Sequence, residues 1–154
     1  MVYLRACRSK SPVIYGSEDR FQIGGSKVLR QSASDVLTIV AAGVTLLEAL
    51  KSYDQLKTAG ISIRVIDLYS IAPIDRTTVL DSARSTQDRI LTMEDHYAHG
   101  GLGDAVLSAI GTEGMKVHKL AVRTIPHSEK PDELVNHLGI GAQSIVETAK
   151  QITK

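Results

Sequence analysis

Cysteine is nearly missing from this chain: 154 residues contain one, Cys7. A single thiol allows neither an intrachain disulfide nor a cysteine-ligated zinc. It fits a reducing compartment, and a cytoplasmic location is expected. Tryptophan is absent and aromatic residues make up 4% of the sequence, too few to build base-stacking platforms for nucleic acid. Neither sign of charge prevails, with 18 Lys and Arg against 17 Asp and Glu. That balance removes the electrostatic case for nucleic acid or an anionic membrane surface. No apolar run approaches the ~20 residues of a membrane span. The opening Met1–Arg8 lacks the apolar core of a signal peptide and reads as a strand cut open in the middle. What is present, 43% hydrophobic and 23% charged residues, is ordinary for a soluble domain. The length predicts one domain that removes roughly two thirds of its unfolded surface from water.

Hydrophobic patterning predicts strands alternating with helices. Val2–Arg5 and Val13–Tyr15 are short strand candidates, and Gly16–Gly25 is a loop. Lys27–Gln31 is a strand. Val36–Ala42 is a nearly continuous apolar run, suited to a strand covered on both faces. After Gly43, residues Val44, Leu47, Leu50 and Leu56 recur at helical spacing, with Thr45 a candidate N-cap and Ala59-Gly60 the stop. Ile61–Leu68 is a β-branched strand that completes a right-handed βαβ unit. Asp75 caps a second helix with Val79, Leu80 and Ala83 on its inner face. Arg89–Met93 is the next strand. Leu102–Ile110 is a helix with Val106, Leu107 and Ile110 on one side. Lys116–Val122 is a strand, and Lys130–Leu138 and Gln143–Thr153 are closing helices. This alternation argues for a three-layer α/β/α sandwich.

The segment Arg89–Val106 carries most of the chemistry. An apolar strand ends in Glu94, Asp95 and His96, and Gly100-Gly101-Leu102-Gly103 leads into a helix. Carboxyl ends of strands are where α/β proteins place binding groups. The glycines suggest a phosphate loop, yet the spacing matches neither a Walker loop nor a dinucleotide fingerprint. Asp104 also puts a carboxylate in the first turn. Tight helix–sheet packing with an electrostatically capped helix is the favoured reading. Strand alternation lets Glu94 and His96 converge while Asp95 turns away. Two such groups are too few for a metal site. His118, His127 and His137 are scattered, and no Gly-x-Ser-x-Gly elbow exists. Cys7 has no paired base. Arg5, Arg8 and Lys10 form a small basic group, suited to a carboxylate or phosphate but also ordinary as solvated surface. The residues alone give no self-sufficient catalytic constellation.

Three segments together resemble the C-terminal domain of the transketolase family: Asp35–Leu50 (DVLTIVAAGVTLLEAL), Ile63–Asp75 (IRVIDLYSIAPID), and Arg89–Tyr97 (RILTMEDHY) with its Gly-Gly-x-Gly. Ser128–Pro131 and the Leu138–Ile140 turn continue the match, which covers essentially the whole chain. The Glu-Asp-His-Tyr form is specific to the animal-like branch. The resemblance implies a mixed five-stranded sheet, mostly parallel with one antiparallel strand, between helices. It implies that residues 1–11 end the preceding pyrimidine-binding domain and that 12–154 form the C-terminal domain. The full enzyme would move a two-carbon ketol unit between sugar phosphates, using thiamine diphosphate and Mg2+ held by upstream domains in a homodimer. This fragment would bind neither cofactor and would be inactive alone, with no catalytic residue of its own. Tyr3–Arg8 (YLRACR) resembles the segment ending the family's middle domain, whose second arginine grips the substrate phosphate; Arg8 matches it. Cys7 and Ser9 depart from the residues usual there. The resemblance assigns Glu94, Asp95 and His96 to interdomain or dimer contacts. Two other readings are a docking module, as in the C-terminal domain of a 2-oxo acid dehydrogenase β subunit, and a regulatory small-ligand domain using the strand-end crevice.

Overall fold

A computed structural model describes residues 1–4 and 10–154. Five strands form one sheet: β1 (Lys27–Arg30), β2 (Thr38–Ala41), β3 (Arg64–Asp67), β4 (Arg89–Tyr97) and β5 (Lys116–Val122). Their order is β1-β3-β2-β4-β5. The pairs β3–β2, β2–β4 and β4–β5 are parallel, and β1 runs antiparallel to β3 at the edge. The helices are α1 (Val44–Thr58), α2 (Arg76–Arg84), α3 (Leu102–Ile110), α4 (Pro131–His137) and α5 (Ala142–Ile152). The mixed, mostly parallel five-stranded sheet of an α/β sandwich is therefore present.

Strand alternation divides the core in two. Ile39, Ala41, Val65, Leu91 and Met93 face α1 and α5, meeting Leu46, Ala49, Ile145 and Val146. Val40, Ile66 and Ile90 point the other way, onto Val79, Ala83, Val106 and Ile110 of α2 and α3. Period-two side chains on strands buried on both faces explain why β2 and β4 read as continuous apolar runs. The chain steps from β2 to β3 in one direction, then crosses back past β2 to β4. With a constant crossover hand, this reversal sends α1 to one face and α2 and α3 to the other. It also makes the carboxyl ends of β2 and β4 the topological switch point, where such sheets open a crevice.

Local chemistry sets the helix ends. Asp75 accepts from the Thr78 amide at 3.1 Å, as a capping residue should. Gly60, with φ of +77°, supplies the left-handed turn after α1. Gly43, not Thr45, occupies the cap position of α1. The Thr45 hydroxyl lies 3.0 Å from both the Ala42 and Met93 carbonyl oxygens, so it ties α1 to β4 instead. Val2–Leu4 and Val13–Tyr15 form no strand, and Val13 is exposed. The segment is held by side chains: the Tyr15 hydroxyl donates to Asp67, and Phe21 stacks edge-on with Tyr15 and Tyr69. Leu107 turns partly outward while Val106 and Ile110 are buried.

Candidate functional site

Strand β4 continues four residues past its apolar stretch, through Glu94, Asp95, His96 and Tyr97. Met93 and Glu94 are buried, whereas Asp95, His96 and Tyr97 are exposed. The next residues turn through Gly100, whose φ of +76° favours glycine, and enter α3. A crevice of about 260 Å³ opens there, between Ala42 beyond β2, the end of β4, Ile71 and the start of α3. It lies at the switch point between β2 and β4.

The glycines are fixed by close approach. A Cβ on Gly101 would overlap Glu94 Oε2 and stand 2.9 Å from His96 Nδ1. Glu94 and His96 thus converge on one glycine, as strand alternation predicts. A Cβ on Gly103 would press into the Lys119 stem and stand 2.9 Å from Glu94 Oε1 and Thr92 Oγ1. The loop is tight packing of a helix start onto a strand, and two of its amides are already in use. Gly103 N–H donates to Glu94 Oε1 at 3.0 Å, and Gly100 N–H donates to Asp104 at 2.7 Å. Glu94 is 4% exposed, and its Oε2 has no hydrogen-bond partner among the described residues.

Lys119, which the sequence reading passed over, clamps this loop. From β5 it donates to the Ala98 carbonyl at 2.6 Å and pairs with Asp104. The Lys119 ammonium, followed by the Gly100 amide, holds the Asp104 carboxyl below the usual carboxylate range. A lysine inside a strand whose flanking residues read as core is the signal that would have found it. His96 Nδ1 lies 2.9 Å from the Tyr97 carbonyl oxygen. His118 lies in β5, and His137 at the end of α4 is 3.4 Å from Glu129. Arg8 lies outside the described residues.

Beside the crevice runs a larger groove of about 770 Å³. Its apolar walls come from α1 (Val44, Leu47) and α4 (Leu134, Val135), and Lys10–Pro12, Asp95 and His96 also border it.

Neither cavity suits thiamine diphosphate with Mg2+. The buried Glu94 on the crevice wall opposes a diphosphate. Among the described residues no cluster of three or more His, Cys, Asp or Glu could hold a metal ion. The described helices include none long and apolar enough to cross a membrane.

An α/β sandwich with one antiparallel edge strand and a crevice at its switch point defines the structural class. The family follows from comparison. The model for the transketolase C-terminal domain matches residues 25–145. Mouse transketolase-like protein 2 is 48% identical over 97% of this chain and 24% of its own length. Human transketolase is 45% identical over 96% of this chain and 24% of its own. A solved structure described as a split-gene transketolase, inactive β4 tetramer, superposes with a TM-score of 0.86 at 34% identity, over 94% of this chain and 47% of that one. The chain belongs to the transketolase C-terminal domain family, and it spans about a quarter of the length of the curated relatives it matches.

Proposed function

We propose that this chain serves as the C-terminal domain of a transketolase whose ketol transfer depends on domains outside these 154 residues. Homology to the C-terminal part of transketolases over nearly the whole chain carries this reading. In such an enzyme, thiamine diphosphate supplies the carbanion chemistry and protein groups orient the substrates. The donor set described above is not one that holds that cofactor, so this domain's contribution is positional. Residues 1–11 belong to the end of the preceding domain, and 12–154 form the C-terminal domain. Glu94, Asp95 and His96 contribute contacts to the neighbouring domain or to a second subunit. The apolar groove beside them offers the adjoining surface to that same partner, the remainder of the transketolase. The neighbour described as an inactive β4 tetramer supports inactivity of the chain alone. Arg8 grips the substrate's distal phosphate by charge-assisted hydrogen bonds, and the assembled enzyme works in the cytoplasm on sugar phosphates of the pentose phosphate pathway.

Reconstitution tests this. The purified chain is assayed with thiamine diphosphate, Mg2+, a ketose phosphate and an aldose phosphate, with and without the remaining transketolase domains. Turnover should require those domains, and turnover or cofactor binding by the chain alone would overturn the reading. In the assembled enzyme Arg8→Ala should chiefly raise the substrate KM; an unchanged KM removes Arg8 from the phosphate site. Substituting Glu94, Asp95 and His96 together should weaken assembly, and intact assembly would remove them from the interface.

A further inference from the structure

Glu94 presents an unmet chemical demand. Its Oε1 is satisfied by the Gly103 amide at 3.0 Å. Its Oε2 lies against Gly101, buried and without a hydrogen-bond partner among the described residues, and both residues line the switch-point crevice. A carboxylate can only accept, so whatever completes this oxygen must donate. A buried carboxylate oxygen left unpaired is costly, which favours a group carrying positive charge.

The surroundings narrow the class. Phosphate and carboxylate ligands meet the Glu94 carboxylate and are repelled. A metal ion lacks ligands, because no cluster of three suitable side chains is present among the described residues. The nearby Lys119 ammonium directs two of its three donors to the Ala98 carbonyl and Asp104, and no hydrogen bond joins it to Glu94 among the described residues. Ala42, Ile71, Met93 and Leu102 give the crevice apolar walls, which suit an alkyl stem. At about 260 Å³ the space lies just below the range typical of drug-sized ligand sites. It fits a short side chain or a small molecule of similar size.

We propose that the strand-end crevice binds an alkylguanidinium or alkylammonium group, with Glu94 Oε2 as its anionic anchor. The group is either a free small cation or an Arg or Lys side chain from the remainder of the transketolase. This deepens the interface role given to Glu94 above. Its test reads cation binding by the isolated chain, so its failure leaves the transketolase reading standing.

The probe is propylguanidinium, with neutral propylurea as control, titrated against the chain while the Gly101 and Gly103 amides are followed by NMR. Wild type should show saturable shifts with propylguanidinium and none with propylurea. Glu94→Gln keeps an acceptor for the Gly103 amide and removes the charge; it should bind about tenfold more weakly or worse. Absent shifts, equal response to propylurea, or undiminished binding by a folded Glu94→Gln chain would overturn the proposal. Ile71→Lys, a partly exposed rim position, is the second variant. It should lose probe binding by placing its own ammonium at the crevice, and unaltered binding would equally overturn the assignment. The source is read from assembly of Glu94→Gln with the remaining domains by sedimentation. Weakened assembly assigns the cation to a partner side chain, and unchanged assembly assigns it to a free ligand.

Discussion

Replacing Gly103 by alanine tests how closely α3 packs on β4 and β5 beside the crevice. Elsewhere in a helix, glycine to alanine gains about 0.5–1 kcal/mol from backbone entropy and propensity. Here the new methyl would press into the Lys119 stem and stand 2.9 Å from both Glu94 Oε1 and Thr92 Oγ1. Lys119 can retreat only by giving up the Ala98 carbonyl and Asp104, while Thr92 and Glu94 are fixed in β4. Overpacking of a rigid site costs roughly 1–3 kcal/mol. Net destabilisation of about 1–2 kcal/mol follows from setting this cost against the propensity gain. With a urea m-value of about 2 kcal/mol/M, the unfolding midpoint should fall by roughly 0.5–1 M. Adding Lys119→Ala removes one of the three crowded contacts. The double variant should therefore lose less than the sum of the single effects. A Gly103→Ala chain as stable as wild type, or more so, would show that α3 does not approach β4 as closely as described.

Two further changes probe ionised groups. Burial pushes the Asp75 carboxyl up, but hydrogen bonds from Thr78 and Ser26 outweigh it and leave its pKa lowered. Its stabilising share is thus present above the unfolded carboxylate pKa and is lost as pH falls through the folded value. Asp75→Ala should cost about 1 kcal/mol and flatten the acid limb of the stability–pH curve, and an unchanged acid limb would refute the account. Burial pushes the Asp67 carboxyl up, and the Tyr15 hydrogen bond opposes it. Because the folded pKa is raised, the associated stability is full below the unfolded pKa and fades as pH climbs through the folded one. Tyr15→Phe removes a donor to the ionised form, so carbon-detected carboxyl titration should show Asp67 moving higher still. A downward move would contradict the hydrogen bond.

Elements whose residues answer to local rules were legible in the sequence. Leu102–Ile110 and Lys116–Val122 have the bounds that their patterning predicts, and Asp75 caps as its side chain suggests. Misreadings arose where a distant partner decides. Val13–Tyr15 has strand composition, yet Tyr15 is spent on Asp67, 52 residues away. Thr45 sits where a cap is expected, but its hydroxyl reaches the Met93 carbonyl across the α1–β4 contact. Strand β4 outruns its apolar residues because Tyr97 still pairs with Val122 of β5, a partnership that no local pattern encodes. Leu107 has the spacing of an inward residue but falls at the margin of the buried stripe of α3, beside Val106 and Ile110.

The site was half legible for the same reason. Glycine spacing before a helix announces that something anionic or bulky comes close, without saying which. Here the anions belong to the protein. Glu94 takes the Gly103 amide and Asp104 takes the Gly100 amide, so the positive end of α3 is filled by carboxylates of this chain. A phosphate would have to displace them and then face Glu94 Oε2 from within. A cation would meet an acceptor already in place. The motif that reads in sequence as an anion cradle is, once folded, the support for a buried negative charge. Gly101 and Gly103 are the residues that leave room for it.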